Sequence, residues 1–225
     1  MNILVVVAHP DDEVLGMGGT IAKLSEEGHS VWVLIVTDGS TSQYRGDERL
    51  IEIMAEKKAE TEKACRILGV KEVLYGNLPD MKLDTCAHIE INEVIEKAVD
   101  RVEPEVIFTH FYEDVNLDHQ MVYKSVLVAA RPVAGNCVKG VVLFYTPSST
   151  EWSPQIAESV FLPNYYVDIT GTAKKKYEAM IAYKNEMREY PHPRSVKYLE
   201  INDMATGQQV GVEKAEAFMI IRYVG

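Results

Sequence analysis

Cysteine is scarce in this chain, which has three among its 225 residues, Cys65, Cys86 and Cys137. No two of them form a C-x-x-C pair, so their spacing argues against a zinc ribbon, a redox motif and a disulfide scaffold. Free thiols are typical of a reducing cytoplasm, where we expect the protein to reside. The chain also lacks a long apolar run and a basic leader, so we expect no membrane span and no targeting segment.

Basic residues are outnumbered, with 23 Lys and Arg against 34 Asp and Glu and a formal net charge of -11. Because such a field repels phosphate, we do not expect nucleic acid as a partner. The hydrophobic fraction of 47% and the charged fraction of 25% are ordinary for a globular protein. A chain of this size folds without a structural metal, so we expect one domain over residues 1–225 and a catalytic role for any metal.

Short β-rich runs alternate with helical periodicity over the first 130 residues. This alternation predicts an α/β fold, with a parallel sheet flanked by helices on both faces. The continuous apolar runs are typical of strands buried on both sides. The predicted strands are 3–8, 31–36, 72–75 and 106–109, and the predicted helices are 18–27, 48–68, 89–102 and 118–130.

The pattern changes after about residue 132, where we expect a C-terminal elaboration of the same domain. Strands are predicted at 141–145 and 165–169, and a helix from 172 to about 189, where Y-P-H-P-R-S interrupts it. The last apolar stretch, 217–224, fits a helix or a strand equally well.

Acidic and imidazole side chains follow three of the predicted strands. Ligands of open parallel sheets bind beyond the carboxyl ends of the strands, so these side chains are expected to share one rim. Adjacent carboxylates repel one another unless a positive charge joins them, and a divalent metal supplies that charge. The rim residues are His9, Asp11, Asp12 and Glu13 after the first strand, Asp38 after the second, and His110, Asp114, Asn116, Asp118 and His119 after the fourth.

Two imidazoles and one carboxylate form a hydrolytic zinc set that leaves a position for water and substrate. From the residues alone, His9 contributes one ligand, Asp11 or Asp12 another, and His119 or His110 the third. The remaining carboxylate of the Asp11–Asp12 pair is placed to accept a proton from a water activated by the metal. The glycine-rich stretch at 16–19 departs from G-x-G-x-x-G, so a dinucleotide site is not favoured.

The motifs resemble those of a known family. A-H-P-D-D-E after the first strand and T-H-F-Y-E-D-V-N-L-D-H-Q-M-V after the fourth are similar to the two motifs of the PIG-L/LmbE-like metal-dependent N-deacetylases. T-D-G, I-L-G-V and H-P-R-S extend the resemblance along most of the chain. The resemblance implies a Rossmann-like fold and a zinc site, with ferrous iron as the alternative ion. It also implies hydrolysis of the acetamide of an N-acetylglucosamine-type sugar or sugar conjugate.

The resemblance also implies individual roles. The metal ligands would be His9, Asp12 and His119, and Asp11 would be the general base. Asp118 would orient an imidazole, as partners of metal-bound histidines commonly do.

The sequence departs from the family pattern at two positions. Many members read H-P-D-H where this chain reads N-L-D-H, so the oxyanion would be met by Asn116 or by His110. An arginine that contacts substrate in the family is replaced by Lys57, with Arg45 as a rival for that role. Arg194, next to His192 in H-P-R-S, is a further candidate for substrate binding.

Two other functions stay open from the sequence. One is a metal-dependent amidase acting on a thiol-sugar conjugate, and the other is a non-catalytic sugar-binding relative. In each case the partner is a small N-acetylated sugar or conjugate, and a homo-oligomer is compatible with the sequence. Four loop aromatics are candidates to stack on a sugar ring, namely Tyr44, Phe111, Tyr112 and Trp152.

Overall fold

The computed structural model describes residues 1–42 and 44–225. A seven-stranded sheet runs through these residues in the order β3-β2-β1-β4-β5-β7-β6. β1 to β5 pair in parallel, and β7 is antiparallel to both of its neighbours. The strands are β1 Asn2–Val7, β2 Ser30–Thr37, β3 Glu72–Leu78, β4 Val106–His110, β5 Gly140–Phe144, β6 Tyr165–Asp168 and β7 Ala215–Tyr223.

Six α-helices within the described residues cover the two faces of the sheet. Alternate residues of β1 explain why both faces are apolar: Ile3 belongs to one core cluster and Leu4 to the other. α1, α2, α5 and α6 contribute to the first cluster, and α3 and α4 to the second. The helices are α1 Asp12–Glu26, α2 Leu50–Leu68, α3 His88–Val102, α4 Leu117–Ala129, α5 Ala173–Ala182 and α6 Val196–Val210.

The expected α/β architecture is confirmed, with a mixed rather than a wholly parallel sheet. The direction of β7 accounts for the difference, because this strand enters between β5 and β6 and runs against both. The undecided stretch 217–224 therefore belongs mostly to a strand. Among the described residues, no helix combines the length and the apolar character needed to cross a bilayer.

The predicted start of the first helix was wrong. α1 begins at Asp12 rather than Gly18 and continues through a kink at Met17, whose φ is -155°. The glycines that suggested a loop serve close packing instead: a Cβ on Gly16 would lie 2.3 Å from the Phe144 ring, and one on Gly19 would lie 2.7 Å from Ile169.

Two errors fall in the C-terminal part. α5 ends at Ala182, well before residue 189, because Tyr183 leaves helical geometry with a ψ of 71°. α6 was not predicted at all. Its buried positions include Asp203, Thr206 and Gly207 beside Leu199, so the helix carries little apolar periodicity.

Candidate active site

The predicted rim residues lie together at the carboxyl ends of the parallel strands. β1 lies between β2 and β4, so the order of strands along the chain reverses at the β1–β4 pair. Open α/β sheets bind their ligands beside such a reversal. His9 follows β1, and His110 ends β4. His119 lies in the first turn of α4, which begins shortly after β4.

Three ligand atoms converge at this point. His9 Nδ1 lies 3.3 Å from Asp12 Oδ2, His119 Nε2 lies 3.3 Å from the same oxygen, and the two ring nitrogens are 3.3 Å apart. Ligands about 2.05 Å from a tetrahedral ion are separated by roughly 3.3 Å. The three atoms therefore fit three corners of a tetrahedral site for a zinc-sized cation, and these residues form a group able to hold a metal.

A carboxylate lies behind each of the two imidazoles. Asp118 Oδ2 is 3.1 Å from His9 Nε2, and its Oδ1 accepts a hydrogen bond from the backbone of Leu83. Asp114 Oδ1 is 3.2 Å from His119 Nδ1. Such carboxylates fix the tautomer and orientation of metal-binding histidines. Asp118 was predicted to orient an imidazole, and the imidazole that it contacts is His9.

The electric field at this point favours positive charge. Burial lowers the pKa of His9, but hydrogen bonds to Asp118 and Asp12 outweigh it and raise the pKa to about 10. Burial is likewise outweighed at His119, where Asp12 and Asp114 raise the pKa to about 9. Burial raises the pKa of Asp12, but the charges of neighbouring imidazoles hold it well below its usual value. A divalent cation bound by neutral imidazoles would be stabilised by the same carboxylates.

Asp11 stands beside this group in an unusual backbone conformation. Its φ of 100° lies in the left-handed region, which costs a non-glycine residue free energy. The N–H of Asp11 donates to Glu13 Oε2 at 3.2 Å, and Arg194 Nη1 lies 3.5 Å from Asp11 Oδ2. That oxygen is buried and accepts no hydrogen bond from the described residues. Burial raises the pKa of Asp11 well above its usual value, and the charge of Arg194 opposes the rise.

A cavity of about 430 Å³ opens beside Asp11 and His9. Four of the candidates for substrate binding or catalysis line it, namely Asp11, Lys57, Asn116 and Arg194. His110, Asp118 and the exposed Arg45 lie outside the described residues that line it. The lining residues are His9, Pro10, Asp11, Gly39, Ser42, Lys57, Asp80, Met81, Asn116, Glu186, Arg188 and Arg194.

Lys57 is buried rather than solvated, with 5% of its surface exposed. Its Nζ donates to the carbonyl of Gly39 at 2.7 Å and forms an ion pair with Glu186 at 2.9 Å. Glu186 Oε2 also accepts from Arg194 at 2.8 Å, so one carboxylate joins both cations. Lys57 therefore connects α2 to the cavity wall.

His110 lies next to Asp12 and His119 of the ligand group. The N–H of Ala8 donates to His110 Nε2 at 2.9 Å, so this nitrogen carries no proton, and Nδ1 lies 3.2 Å from Thr146 Oγ1. The ring stacks on His119 at 3.8 Å with a tilt of 10°. Burial, followed by the charge of His119, holds the pKa of His110 well below its usual value, so the ring is neutral.

Asn116 caps α4 from the rim of the cavity. Its Oδ1 accepts from the N–H of Asp118 at 2.9 Å, which fixes the amide orientation and leaves Nδ2 toward Met81, another lining residue. The amide therefore has donor capacity on the side of the cavity.

Sequence reasoning missed the two acidic residues Asp80 and Glu186 of the cavity wall, and it gave Asp114 no role. Asp80 is 4% exposed, and its Oδ1 lies 3.6 Å from His9 Nε2. Its position just after β3 was the signal that places it on the rim, because carboxyl ends of parallel strands share one edge. Glu186 was placed inside a predicted helix, and nothing local marks it.

Comparison with known proteins assigns the chain to a family. The family model described as PIG-L: GlcNAc-PI de-N-acetylase matches residues 4–130. The chain is 27% identical over 184 residues to the uncharacterized deacetylase YaiS of Escherichia coli, covering 78% of this chain and 90% of that protein. It is 26% identical over 241 residues to the diacetylchitobiose deacetylase of Thermococcus kodakarensis, covering 99% and 83%. The chain belongs to the PIG-L family.

The family predicted from the sequence motifs is thus confirmed, and with it the class of enzyme, an N-deacetylase-type hydrolase. A solved structure of similar fold is the 4-carboxy-2-hydroxymuconate hydratase of Pseudomonas putida, with a TM-score of 0.78 and 22% identity, covering 100% of this chain and 97% of that one. Because one fold carries different reactions, the substrate and the catalytic steps have to be argued from the site.

Proposed function

We propose that this protein is a zinc-dependent N-deacetylase that hydrolyses the acetamide of an N-acetylglucosamine-type sugar or sugar conjugate. The convergence of His9 Nδ1, Asp12 Oδ2 and His119 Nε2 at mutual distances of 3.3 Å carries the proposal. Two nitrogens and one carboxylate oxygen suit zinc, and ferrous iron is the alternative. The deacetylase relatives support the choice of an acetamide.

Asp11 is the proposed general base. When bound, the metal acts as a Lewis acid and lowers the pKa of a coordinated water to about 7. Asp11 Oδ2, which accepts no hydrogen bond from the described residues, accepts a proton from the attacking water as the water oxygen bonds to the acetyl carbon. The same carboxyl returns that proton to the sugar nitrogen as the C–N bond breaks. The products are acetate and a free amine.

Asn116 is the better candidate to stabilise the developing oxyanion. Its amide donor lies on the cavity wall, whereas His110 is outside the described lining residues and its Nε2 is occupied by the N–H of Ala8. A hydrogen bond from a neutral amide suffices as one element of an oxyanion site. His110 then serves as a stacked support for His119.

The cavity suits a sugar. Its volume of about 430 Å³ falls in the range of small-ligand sites, roughly 300–1,000 Å³. Asp80 and Glu186 offer carboxylate oxygens to sugar hydroxyls, and Arg194 offers a guanidinium edge. Lys57 acts through Glu186, because its ammonium already contacts that carboxylate and the Gly39 carbonyl.

Two substitutions test the division of roles between adjacent carboxylates. Asp11→Asn should retain stoichiometric zinc and lose about 10²–10⁴ in kcat, because the base is removed and the ligands stay. Asp12→Asn should lose the metal itself. Elemental analysis together with acetate release measures both. Full activity in Asp11→Asn, or full zinc retention in Asp12→Asn, contradicts the assignment.

A substrate panel tests the reaction class. Amine release should occur from N-acetylated sugars, disappear with a chelator and return with zinc. Turnover confined to thiol-sugar conjugates indicates the amidase, and tight binding without turnover indicates the non-catalytic relative. 4-Carboxy-2-hydroxymuconate is included because of the hydratase neighbour, and its hydration would displace the deacetylase proposal.

A further inference from the structure

The structure separates the four loop aromatics by their surroundings. Phe111 is fully buried, and Tyr112 packs against it with ring centroids 4.4 Å apart. The ring of Tyr44 faces the ammonium of Lys57, with 5.4 Å between Nζ and the ring centroid. Trp152 is the most exposed of the four, with 58% of its surface accessible.

Trp152 is linked through His192 to Arg194, a residue that lines the cavity. Its ring meets His192 edge-on, with centroids 6.3 Å apart and an interplanar angle of 89°. His192 Nδ1 accepts a hydrogen bond from the N–H of Arg194 at 3.1 Å. The guanidinium of Arg194 in turn lies 3.5 Å from Asp11 Oδ2. The indole is therefore connected to the rim of the cavity through a short series of direct contacts.

The loop that carries Trp152 is fixed to the site. Thr150 Oγ1 donates to Asp114 Oδ2 at 2.7 Å, and Ser149 Oγ donates to the other oxygen of the same carboxylate. Arg194 Nε donates to Ser148 Oγ at 2.9 Å. Because the backbone that carries the ring is fixed in this way, less conformational entropy is lost when a ligand packs on the ring.

We infer that Trp152, backed by His192, forms a subsite for a second six-membered ring attached to the N-acetylglucosamine unit. The inference rests on the proposed function and names its substrate class, an N-acetylglucosaminide whose neighbouring group is cyclic. An indole offers a flat apolar face for the C–H side of a sugar ring and an N–H for a hydroxyl. An acyclic acid in that place has no such face to cover the indole.

The kinetic test compares N,N'-diacetylchitobiose with N-acetylglucosamine. Trp152→Ala should raise KM for the disaccharide about three- to tenfold, with kcat unchanged, and leave both constants unchanged for the monosaccharide. Trp152→Phe keeps an aromatic face and should stay close to the wild type. Tyr223→Ala removes an aromatic side chain of equal exposure at the C-terminal end of β7, and it should leave KM and kcat unchanged for both sugars.

A binding measurement decides the matter independently of turnover. In a Trp32→Phe background, Trp152 is the sole remaining tryptophan, and chitobiose should quench or shift its fluorescence with saturation, whereas N-acetylglucosamine should not. The subsite is overturned if chitobiose leaves the fluorescence unchanged. It is also overturned if Trp152→Ala changes KM equally for the two sugars or changes KM for neither of them. If no N-acetyl sugar is hydrolysed but the saturable change persists, the proposed reaction fails and the subsite stands.

Discussion

Asp11, the proposed general base, is held in a backbone conformation that costs a non-glycine residue free energy. Its left-handed backbone turns the strand end directly into α1, and this places Asp12 Oδ2 within 2.9 Å of the N–H of His9. Glu13 stabilises the turn through the N–H of Asp11. Glu13 is fully buried, and its Oε1 accepts a hydrogen bond from the hydroxyl of Tyr183 at 2.5 Å. We therefore expect Glu13 to position the proposed base.

Glu13→Gln tests this positioning role. A glutamine oxygen accepts one of the two hydrogen bonds, while its NH₂ faces the other donor, which leaves a buried donor unsatisfied at about 1–3 kcal/mol. We expect kcat to fall at least tenfold with KM and zinc content unchanged. Tyr183→Phe keeps the contact between Glu13 and Asp11 and should cost less activity. Equal losses in the two variants would argue for a purely structural role.

Asp118 and Asp114 should affect the affinity for the metal rather than the catalytic step. Asp118→Asn and Asp114→Asn remove the charges that hold His9 and His119, so we expect zinc affinity to fall about 10–100-fold. Competition with a fluorescent chelator measures the change. Asp84→Asn alters an exposed carboxylate in the short turn that also contains Leu83, and it should leave the affinity unchanged. Unaltered affinity in both buried variants would contradict the predicted arrangement.

At the scale of elements, close contacts on glycine determine where α1 lies. Gly16→Ala should destabilise the protein by about 1–3 kcal/mol, because its Cβ would overlap the ring of Phe144 on β5. Gly171→Ala is the matched control, since a Cβ there meets no atom of the described residues within 4 Å. Urea unfolding measures both. The packing argument is wrong if Gly16→Ala unfolds at the same urea concentration as the wild type.

The elements that sequence predicted well are those whose stability comes from their own apolar pattern. β1 and β2 are buried along most of their length, and α3 buries one regular stripe. The early start of α1 and the early end of α5 depend on tertiary contacts, at Phe144 for Gly16 and at Glu13 for Tyr183. No local pattern encodes such contacts, so these boundaries were missed.

The site residues also divide into those that the sequence could group and those that it could not. His9, Asp12 and His119 are brought together by the strand ends that precede them, so sequence order and sheet geometry suffice to group them. Glu186 reaches the cavity because the chain leaves α5 at Tyr183 and returns past Lys57, which is a property of the folded chain.

At the scale of the whole molecule, a buried charge cluster attaches the C-terminal elaboration to the helix that carries Asp12. Lys176 Nζ lies 2.8 Å from both Asp203 Oδ1 and Glu216 Oε1. Glu216 also accepts the N–H groups of Gly19 and Thr20, at 3.0 and 2.7 Å, just beyond the kink of α1. α5, α6 and β7 thus meet α1 at one point, and the charges there affect the stability of the whole fold.

This cluster predicts a pH dependence with a definite sign. Burial raises the pKa of Asp203 from 3.8 to about 6 against the opposing charge of Lys176. The folded chain then binds this proton more tightly than the unfolded chain, so the stability contributed by Asp203 is complete below pH 4 and is lost as the pH rises through about 6. Asp203→Asn cannot titrate. The free energy of unfolding of the wild type should therefore fall relative to the variant by roughly 2–3 kcal/mol between pH 4 and pH 7.

Urea unfolding of both proteins across that range measures the difference, and Asp168→Asn supplies a control of opposite sign. The exposed Asp168 accepts a hydrogen bond from the hydroxyl of Thr170, which lowers the pKa of its carboxyl. Its stabilisation is present above its unfolded pKa and is lost as the pH falls through the lower folded value. Asp168→Asn should therefore lower the free energy of unfolding most at neutral pH, and Asp203→Asn should lower it most in acid. A difference for Asp203→Asn that is flat, or that grows toward neutral pH, would mean that the cluster holds this carboxyl fully ionised in the folded chain.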